Sequence, residues 1–266
     1  MKKTLVTLLA IGGAAMGALS ENQLATPTEI TLQNTATVID ATSILTSASY
    51  KQAFTAVLTL DVNALSVFTT GKPTSGATKL PLLSWKVDNA GTEQVDHIIN
   101  ISVNNNSSNN NITTGGFYYG QDINNCFTDK SSTKFGTNGD AATKALTDID
   151  WTNAAGAALT ITYNGVSSRT APLGIQIYFA VAMNDGGVIT LNAGNNETQW
   201  VDNAFDVTEI RYTPNYLDAL TIYDGYADAD QAWTLTKDVL PIIPEPATAT
   251  LSLLALAGLA ARRRRR

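Results

Sequence analysis

The chain has little of what many active sites are built from. Its 266 residues include one cysteine and one histidine. One cysteine excludes a disulfide within the chain and a zinc site made of cysteines. One histidine excludes the HExxH zinc motif. Charged residues make up only 15% of the chain, and no series of helical segments separates the apolar runs, which disfavours a parallel α/β fold.

What the sequence has in abundance is the two-residue alternation of β-strands. Apolar residues occupy every second position in 54–62, 159–163 and 173–183. Successive side chains of a strand point to opposite faces, so we expect each strand to bury one face and expose the other. Further strands are predicted at 29–40, 80–88, 97–103, 187–192, 206–213 and 217–223.

The segments between these strands favour antiparallel pairing. Asn164-Gly165, Asn184 to Gly187 and Asp224-Gly225 supply residues that tolerate positive φ, and Asn184 to Gly187 predicts a hairpin. Only 139–148 and 227–236 have a helical pattern, and 104–114 is predicted to be an exposed polar loop. The sequence therefore predicts an all-β fold, an antiparallel two-sheet sandwich of the jelly-roll type.

The first twenty residues are typical of a secretory signal. Lys2 and Lys3 precede an apolar run from Leu5 to Ala18, and small residues follow. A positive start, an apolar centre and a small-residue cleavage site predict export and removal by signal peptidase. We therefore expect a signal helix over 1–20 and a sandwich domain over 21–243.

The last 23 residues form a second targeting segment. Pro244, Glu245 and Pro246 precede fifteen uncharged residues, 247–261, and the basic cluster Arg262, Arg263, Arg264, Arg265 and Arg266 follows. As a helix, fifteen residues span about 22 Å, less than the ~30 Å hydrocarbon core of a bilayer. Five arginines resist translocation, so an exported chain would pause in the membrane with Pro-Glu-Pro at the outer interface.

This order of motif, apolar helix and arginines resembles a PEP-CTERM sorting domain. The resemblance covers residues 244–266. It implies recognition by an exosortase-type membrane enzyme, cleavage near Pro-Glu-Pro and delivery to the surface of a Gram-negative-type bacterium. An ordinary single-pass C-terminal anchor is the alternative.

Without these two ends the chain is strongly acidic. Leaving out Lys2, Lys3, Glu245 and the five terminal arginines gives 10 basic and 22 acidic residues in 21–243, a net charge of −12. Such a surface repels nucleic acid, so no nucleic-acid partner is expected.

A second resemblance concerns the domain itself. Residues 219–233 (ALTIYDGYADADQAW) resemble the last strand and short helical end of concanavalin A-like, laminin G-like jelly rolls. The resemblance implies the fold only, because the calcium ligands of those domains have no counterparts at matching positions.

Residues that could carry catalysis have simpler roles in this pattern. His97 lies in an apolar alternation with Ile99 and Ile101, and Cys126 follows two asparagines. We interpret both as structural residues and predict no catalytic residue. Asp148 and Asp150 would share a strand face, as a glycosidase pair requires, but acidic residues also solvate loops and strand edges.

Two kinds of ligand are compatible with the loops. Asp185, Asp224 and Asp228 are candidates for a calcium site, because hard cations bind several oxygen ligands and Asp/Asn-rich loops supply them. Tyr118, Tyr119 and Trp200 are candidates for a glycan site, because rings beside amides stack on sugars and bind their hydroxyls. Calcium and sugar sites remain alternatives to ordinary turn and core roles, and no cofactor is otherwise predicted.

These observations predict an exported, surface-sorted sandwich without catalytic activity. Its domain would bind glycans or serve in adhesion. A purely structural component of an extracellular matrix or envelope layer is the alternative, and a glycoside hydrolase is a third, weaker one.

Overall fold

The structure is a computed structural model that describes residues 24, 27–35, 37–46, 53–66, 78–89, 92–106, 111–120, 133–135, 146–164, 175–195 and 206–242. These ranges hold twelve strands, two α-helices and short 3₁₀ turns. The strands are β1 (Thr28–Ile30), β2 (Thr37–Asp40), β3 (Ala53–Leu60), β4 (Thr78–Asn89), β5 (Thr92–Asn106), β6 (Asn111–Gly120), β7 (Thr133–Phe135), β8 (Ala154–Asn164), β9 (Ile175–Met183), β10 (Val188–Asn195), β11 (Val207–Tyr212) and β12 (Leu217–Asp224). The helices are α1 (Val62–Leu65) and α2 (Ala229–Asp238).

The strands form two six-stranded sheets in which all neighbours are antiparallel. The first sheet has the order β1-β12-β3-β8-β9-β10, and the second has the order β2-β11-β4-β5-β6-β7. Strand β12, near the end of the described chain, thus lies between β1 and β3. The prediction of an all-β protein with two antiparallel sheets is confirmed.

Aromatic side chains from both sheets meet in the core. The rings of Phe54 and Trp85 lie 5.2 Å apart between centroids in an edge-to-face arrangement, and Trp85 is equally close to Tyr163. A second contact joins Phe117 and Phe179 at 5.0 Å. Each such pair adds about 0.5–1.5 kcal/mol beyond the apolar area it buries. Trp85, which contacts two of these rings, is fully buried.

The expectation that each strand exposes one face is wrong for β3 and β8. Every residue of β8 from Gly156 onward is buried, and in β3 only Thr59 is partly exposed. Thr55, Thr160 and Thr162 alternate with core residues, yet they are buried too. The reason is that the segment after β12 lies across the outer face of the first sheet.

Alanines of β8 and β9 form the apolar part of this contact. Ala158, Ala180 and Ala182 pack against Leu240, with Trp233 of α2 partly buried beside them. Small side chains on the sheet let the helix approach closely. Trp233 therefore packs on the outer side of the sheet and not between the sheets.

Hydrogen bonds fix the same contact. Thr236 of α2 donates to Thr160 of β8, and its hydroxyl also lies 2.8 Å from the carbonyl oxygen of Ala232. Helix α2 begins with a capping box, in which the carboxylate of Asp228 accepts from the N–H of Gln231 at 2.7 Å. The helix predicted over 227–236 is thus confirmed at 229–238.

Two predicted segments have a different form in the structure. The strand predicted over 29–40 is two strands, because β1 belongs to the first sheet and β2 to the second. The loop predicted over 104–114 is wrong for 104–106 and 111–114, since β5 continues to Asn106 and β6 starts at Asn111, with these two residues paired; residues 107–110 lie outside the described residues. Polar residues continue the ladder because its hydrogen bonds come from the backbone.

The turn predictions hold where the structure describes them. Asn184 to Gly187 connects β9 and β10, and Gly186 has a φ of 88°. Gly225, after β12, has a φ of 107°. Of the helical segment predicted at 139–148, residues 146–148 are described, and they form a 3₁₀ turn.

None of the helices in the described ranges has the length and apolar character needed to cross a bilayer. The predicted signal segment 1–20 and the predicted sorting segment 244–266 lie outside the described residues.

Candidate functional site

A depression of about 760 Å³ opens at one end of the first sheet. It lies where β3 ends and where β8 and β12 begin, and Pro241, just beyond α2, forms part of its wall. We call it the end depression. Its polar lining consists of Thr59, Asp61, Asn63, Ser66, Thr152 and Asp218.

Asp61 holds the turn that leaves β3. One of its carboxylate oxygens accepts from the backbone N–H groups of Asn63 at 2.8 Å and Ala64 at 3.3 Å, and so caps α1. An aspartate at this position satisfies donors that the first helical turn leaves unpaired. The N–H of Asp61 donates to the carbonyl of Tyr216 at 3.0 Å, which ties the turn to the start of β12.

The segment before β8 is built in a similar way. Asp150 caps the 3₁₀ turn 151–153, with one oxygen accepting from the N–H of Thr152 at 3.1 Å and the other from the amide of Asn153 at 2.6 Å. The side-chain hydrogen bonds of Thr152 and Asn153 hold the pKa of Asp150 below its ordinary value. Trp151 is buried and donates to the carbonyl of Leu146 at 3.1 Å.

Gly156 and Pro241 form a close contact in the wall. A Cβ atom on Gly156 would lie 2.6 Å from Cδ of Pro241, so only glycine fits without displacing the proline. Leu240 before it is buried, whereas Ile242 after it is 95% exposed. The last described residue, Ile242, therefore lies at the surface next to the wall of the end depression.

The environment of the end depression acts on the carboxyl group of Asp218. Partial burial, and then the charge of Asp61, raise the pKa of Asp218 above its ordinary value. Asp61 is half-buried, and Asp218 is the more exposed of the two. A carboxylate pair in an open, polar depression attracts cationic groups and accepts hydrogen bonds from N–H and O–H donors.

The calcium candidates fall at opposite ends of the first sheet. Asp185 is exposed in the β9–β10 turn and accepts from the N–H of Gly187 at 3.0 Å. Asp224, at the end of β12, is buried opposite Phe54 at the start of β3. Asp228 serves as the cap of α2. The described part of the chain contains no group of three or more acidic, histidine or cysteine residues placed to hold a metal ion.

The glycan candidates are described only in part. Tyr118 and Tyr119 lie in β6 of the second sheet, and Trp200 lies outside the described residues. In the register Tyr118 is opposite Asn100, whereas Tyr119 is opposite Ile99, whose side chain is buried. The sheet therefore places the two tyrosine positions on opposite faces, with Tyr118 on the face of Asn100.

The remaining candidate residues lie in a strand, in turns or outside the described part of the chain. His97 lies in β5 opposite Trp85, and Cys126 lies outside the described residues. Asp148 and Asp150 are both exposed, and the carboxylate of Asp150 is engaged by Thr152 and Asn153. The sorting residues Pro244, Glu245 and Pro246 and the basic cluster 262–266 lie outside the described residues.

Sequence reasoning did not find the end depression. Asp61 follows a strand and precedes Val62-Asn63-Ala64-Leu65, a pattern that identifies a helix cap. Asp218 has no comparable signal, because it reaches the depression only through the pairing of β12 with β3.

The fold thus defines an all-β protein with two antiparallel sheets. No protein-family model matches the chain, and a comparison with curated proteins gives no match.

Proposed function

We propose that this chain is an exported bacterial surface protein that is sorted through residues 244–266. The observation that carries the proposal is the end of the folded body. Leu240 is buried and Ile242 is 95% exposed, and Pro244-Glu245-Pro246 follows two residues later. The predicted sorting segment thus begins two residues beyond the last described residue, which supports separate processing of the tail.

In this proposal signal peptidase removes residues 1–20, and an exosortase-type membrane enzyme cleaves near Pro244. The second cleavage breaks one peptide bond: water supplies the hydroxyl of the new carboxyl end and the proton of the new amino end. Until then the tail holds the protein at the membrane, because its apolar segment precedes five arginines that stay on the cytoplasmic side.

Intact mass of the protein recovered from producing cells tests this proposal. We expect a species that lacks both the leader and the tail. A variant with alanine in place of Pro244, Glu245 and Pro246 should keep the tail and lose only the leader. Recovery of the unaltered chain with Met1 and Arg266 both present would contradict the proposal, and equal tail retention in both proteins would indicate a simple anchor.

For the domain, we propose a concanavalin A-like jelly roll that binds glycans or serves in adhesion. Two observations support the jelly roll. The chain passes repeatedly between the sheets, and β12 and β11 each insert between two early strands of their sheet. The placement of Tyr118 opposite Asn100 favours sugar binding, because directly opposite residues of neighbouring strands are about 4.5–5.5 Å apart at Cβ.

A glycan array with the tail-free protein tests the binding role. We expect binding that Tyr118→Ala abolishes and that Asp230→Asn, an exposed substitution on α2, leaves unchanged. No binding by the unmodified protein would favour the alternative, a structural component of an extracellular layer. Release of sugar from polysaccharides would instead indicate a glycoside hydrolase.

A further inference from the structure

Only a short segment separates the last residues of the folded body from the predicted sorting motif. Pro241 is held against Gly156, and Pro244 follows three residues later. Three residues span at most about 11 Å when fully extended. A single α-helix with its side chains is about 10–12 Å thick. The wall of an enzyme that surrounds Pro244 is at least one helix thick. It would therefore fill the whole distance to the folded body and would contact it.

The surface next to Ile242, where the described chain ends, is the end depression. Pro241 and Val239 form its wall on one side, and Asp61 and Asp218 lie in the same depression. The carboxylate of Asp61 caps α1, and its N–H is hydrogen-bonded to Tyr216, just before β12. This surface is therefore fixed relative to the end of the described chain. Both charged residues in its lining, Asp61 and Asp218, are acidic, which complements cationic or N–H donor groups on a partner.

From this geometry we infer that the rim of the end depression, around Asp61 and Asp218, is the surface on which the membrane-embedded tail-processing enzyme docks. The partner is expected to present cationic or N–H donor groups there. This inference rests on the proposed sorting function. It adds that the folded body, and not the tail alone, takes part in recognition.

The test measures the rate of tail removal from the full-length chain in cells by pulse labelling and intact mass. The double variant Asp61→Asn/Asp218→Asn removes both charges, and asparagine still caps α1. The control Glu29→Gln/Asp230→Asn removes two exposed charges elsewhere. We expect the first variant to be slowed about threefold to tenfold, as rim charges affect association, and the control to match the unmodified chain.

A spacer separates docking from other causes of slow processing. Ten Gly/Ser residues inserted after Ile242 add about 17 Å on average. With this spacer the enzyme reaches the motif without touching the body, so the charge variant should be processed as fast as its parent. Gly156→Ala introduces a Cβ that displaces Pro241 from the wall of the end depression. We expect this variant, like the spacer, to reduce the difference in processing rate between the charge variant and its parent.

Each result decides between the alternatives. Processing of the charge variant at the unmodified rate, or equal slowing with and without the spacer, would overturn the docking inference and leave the sorting proposal standing. Retention of the tail by the unmodified chain in cells that hold the processing enzyme would overturn the sorting proposal, and the inference with it.

Discussion

The outer faces of the two sheets have the same alternating sequence pattern but different surroundings. On the first sheet, Thr160 and Thr162 are fully buried, and Thr160 is hydrogen-bonded to Thr236 of α2. On the second sheet, Lys86, Glu209 and Arg211 remain partly exposed. There Glu209 lies 2.6 Å from Nη2 of Arg211 and 3.6 Å from Nζ of Lys86.

The difference shows that alternation identifies a strand but does not tell whether its outer side meets water. The size of the outward-facing side chains, and the hydrogen bonds they can make, indicate whether the outer side of a strand is covered. Alanine and threonine are short, and the threonine hydroxyl can bond to a covering segment, as Thr160 does with Thr236. Long charged side chains keep their ends hydrated, and they occupy the outer face of the second sheet, on which the described residues place no helix.

The largest expected effect comes from placing one charge on each outer face. Thr160→Glu buries a carboxylate beneath α2 and should destabilise the protein by about 3 kcal/mol or more. Ser84→Glu, on the half-buried outer side of β4 and opposite Arg211, should change stability by no more than about 0.5 kcal/mol. Urea unfolding measures both, and equal midpoints would contradict the proposed contrast between the faces.

A smaller effect is expected from loosening the covering segment alone. Asp228→Ala removes the cap of α2 and should cost about 1 kcal/mol, with faster hydrogen exchange of the α2 amides. Asp230→Ala, also in the first turn but exposed, is the matched control and should cost less. Unchanged exchange in the Asp228 variant would show that the sheet contact holds the helix without its cap.

The smallest effect belongs to the open face. The hydrogen bond from Arg211, aided by the charge of Lys86, lowers the pKa of Glu209. A carboxyl group whose pKa is lowered in the folded state stabilises the folded protein at a pH above its unfolded-state pKa. This contribution disappears as the pH falls through the folded-state pKa. Since the pair is partly exposed, Glu209→Gln should cost only about 0.2–1 kcal/mol at pH 7.

The pH dependence sharpens this last prediction. Below the ordinary glutamate pKa of about 4.3, the stabilities of the Glu209→Gln variant and the unmodified protein should converge. Unfolding midpoints across pH 3–7 measure the convergence. Glu29→Gln, at an exposed glutamate of β1, is the control and should not reproduce it.

Strands and turns could be predicted from the sequence because their causes are local. Alternation located β3, β8 and β9, and Asn184 to Gly187 identified the hairpin between β9 and β10. The helix at 229–238 was also predictable, since Asp228 and Gln231 form its cap within four residues.

What could not be predicted depends on contacts between distant segments. Thr160 is adjacent to Thr236 only because the chain folds back over the sheet. Asp61 and Asp218 share the end depression only because β12 pairs with β3. The break between β1 and β2 has the same origin, since the two halves of one polar-apolar run join different sheets.

The position of β12 has a consequence for how the chain can fold. Strand β12 fills the gap between β1 and β3, although it is made from residues 217–224 and its neighbours from residues 28–30 and 53–60. A chain that is synthesised from its N-terminus must leave that gap open until all the other described strands have been made. The first sheet can therefore be completed only after β12, close to the tail, has been synthesised.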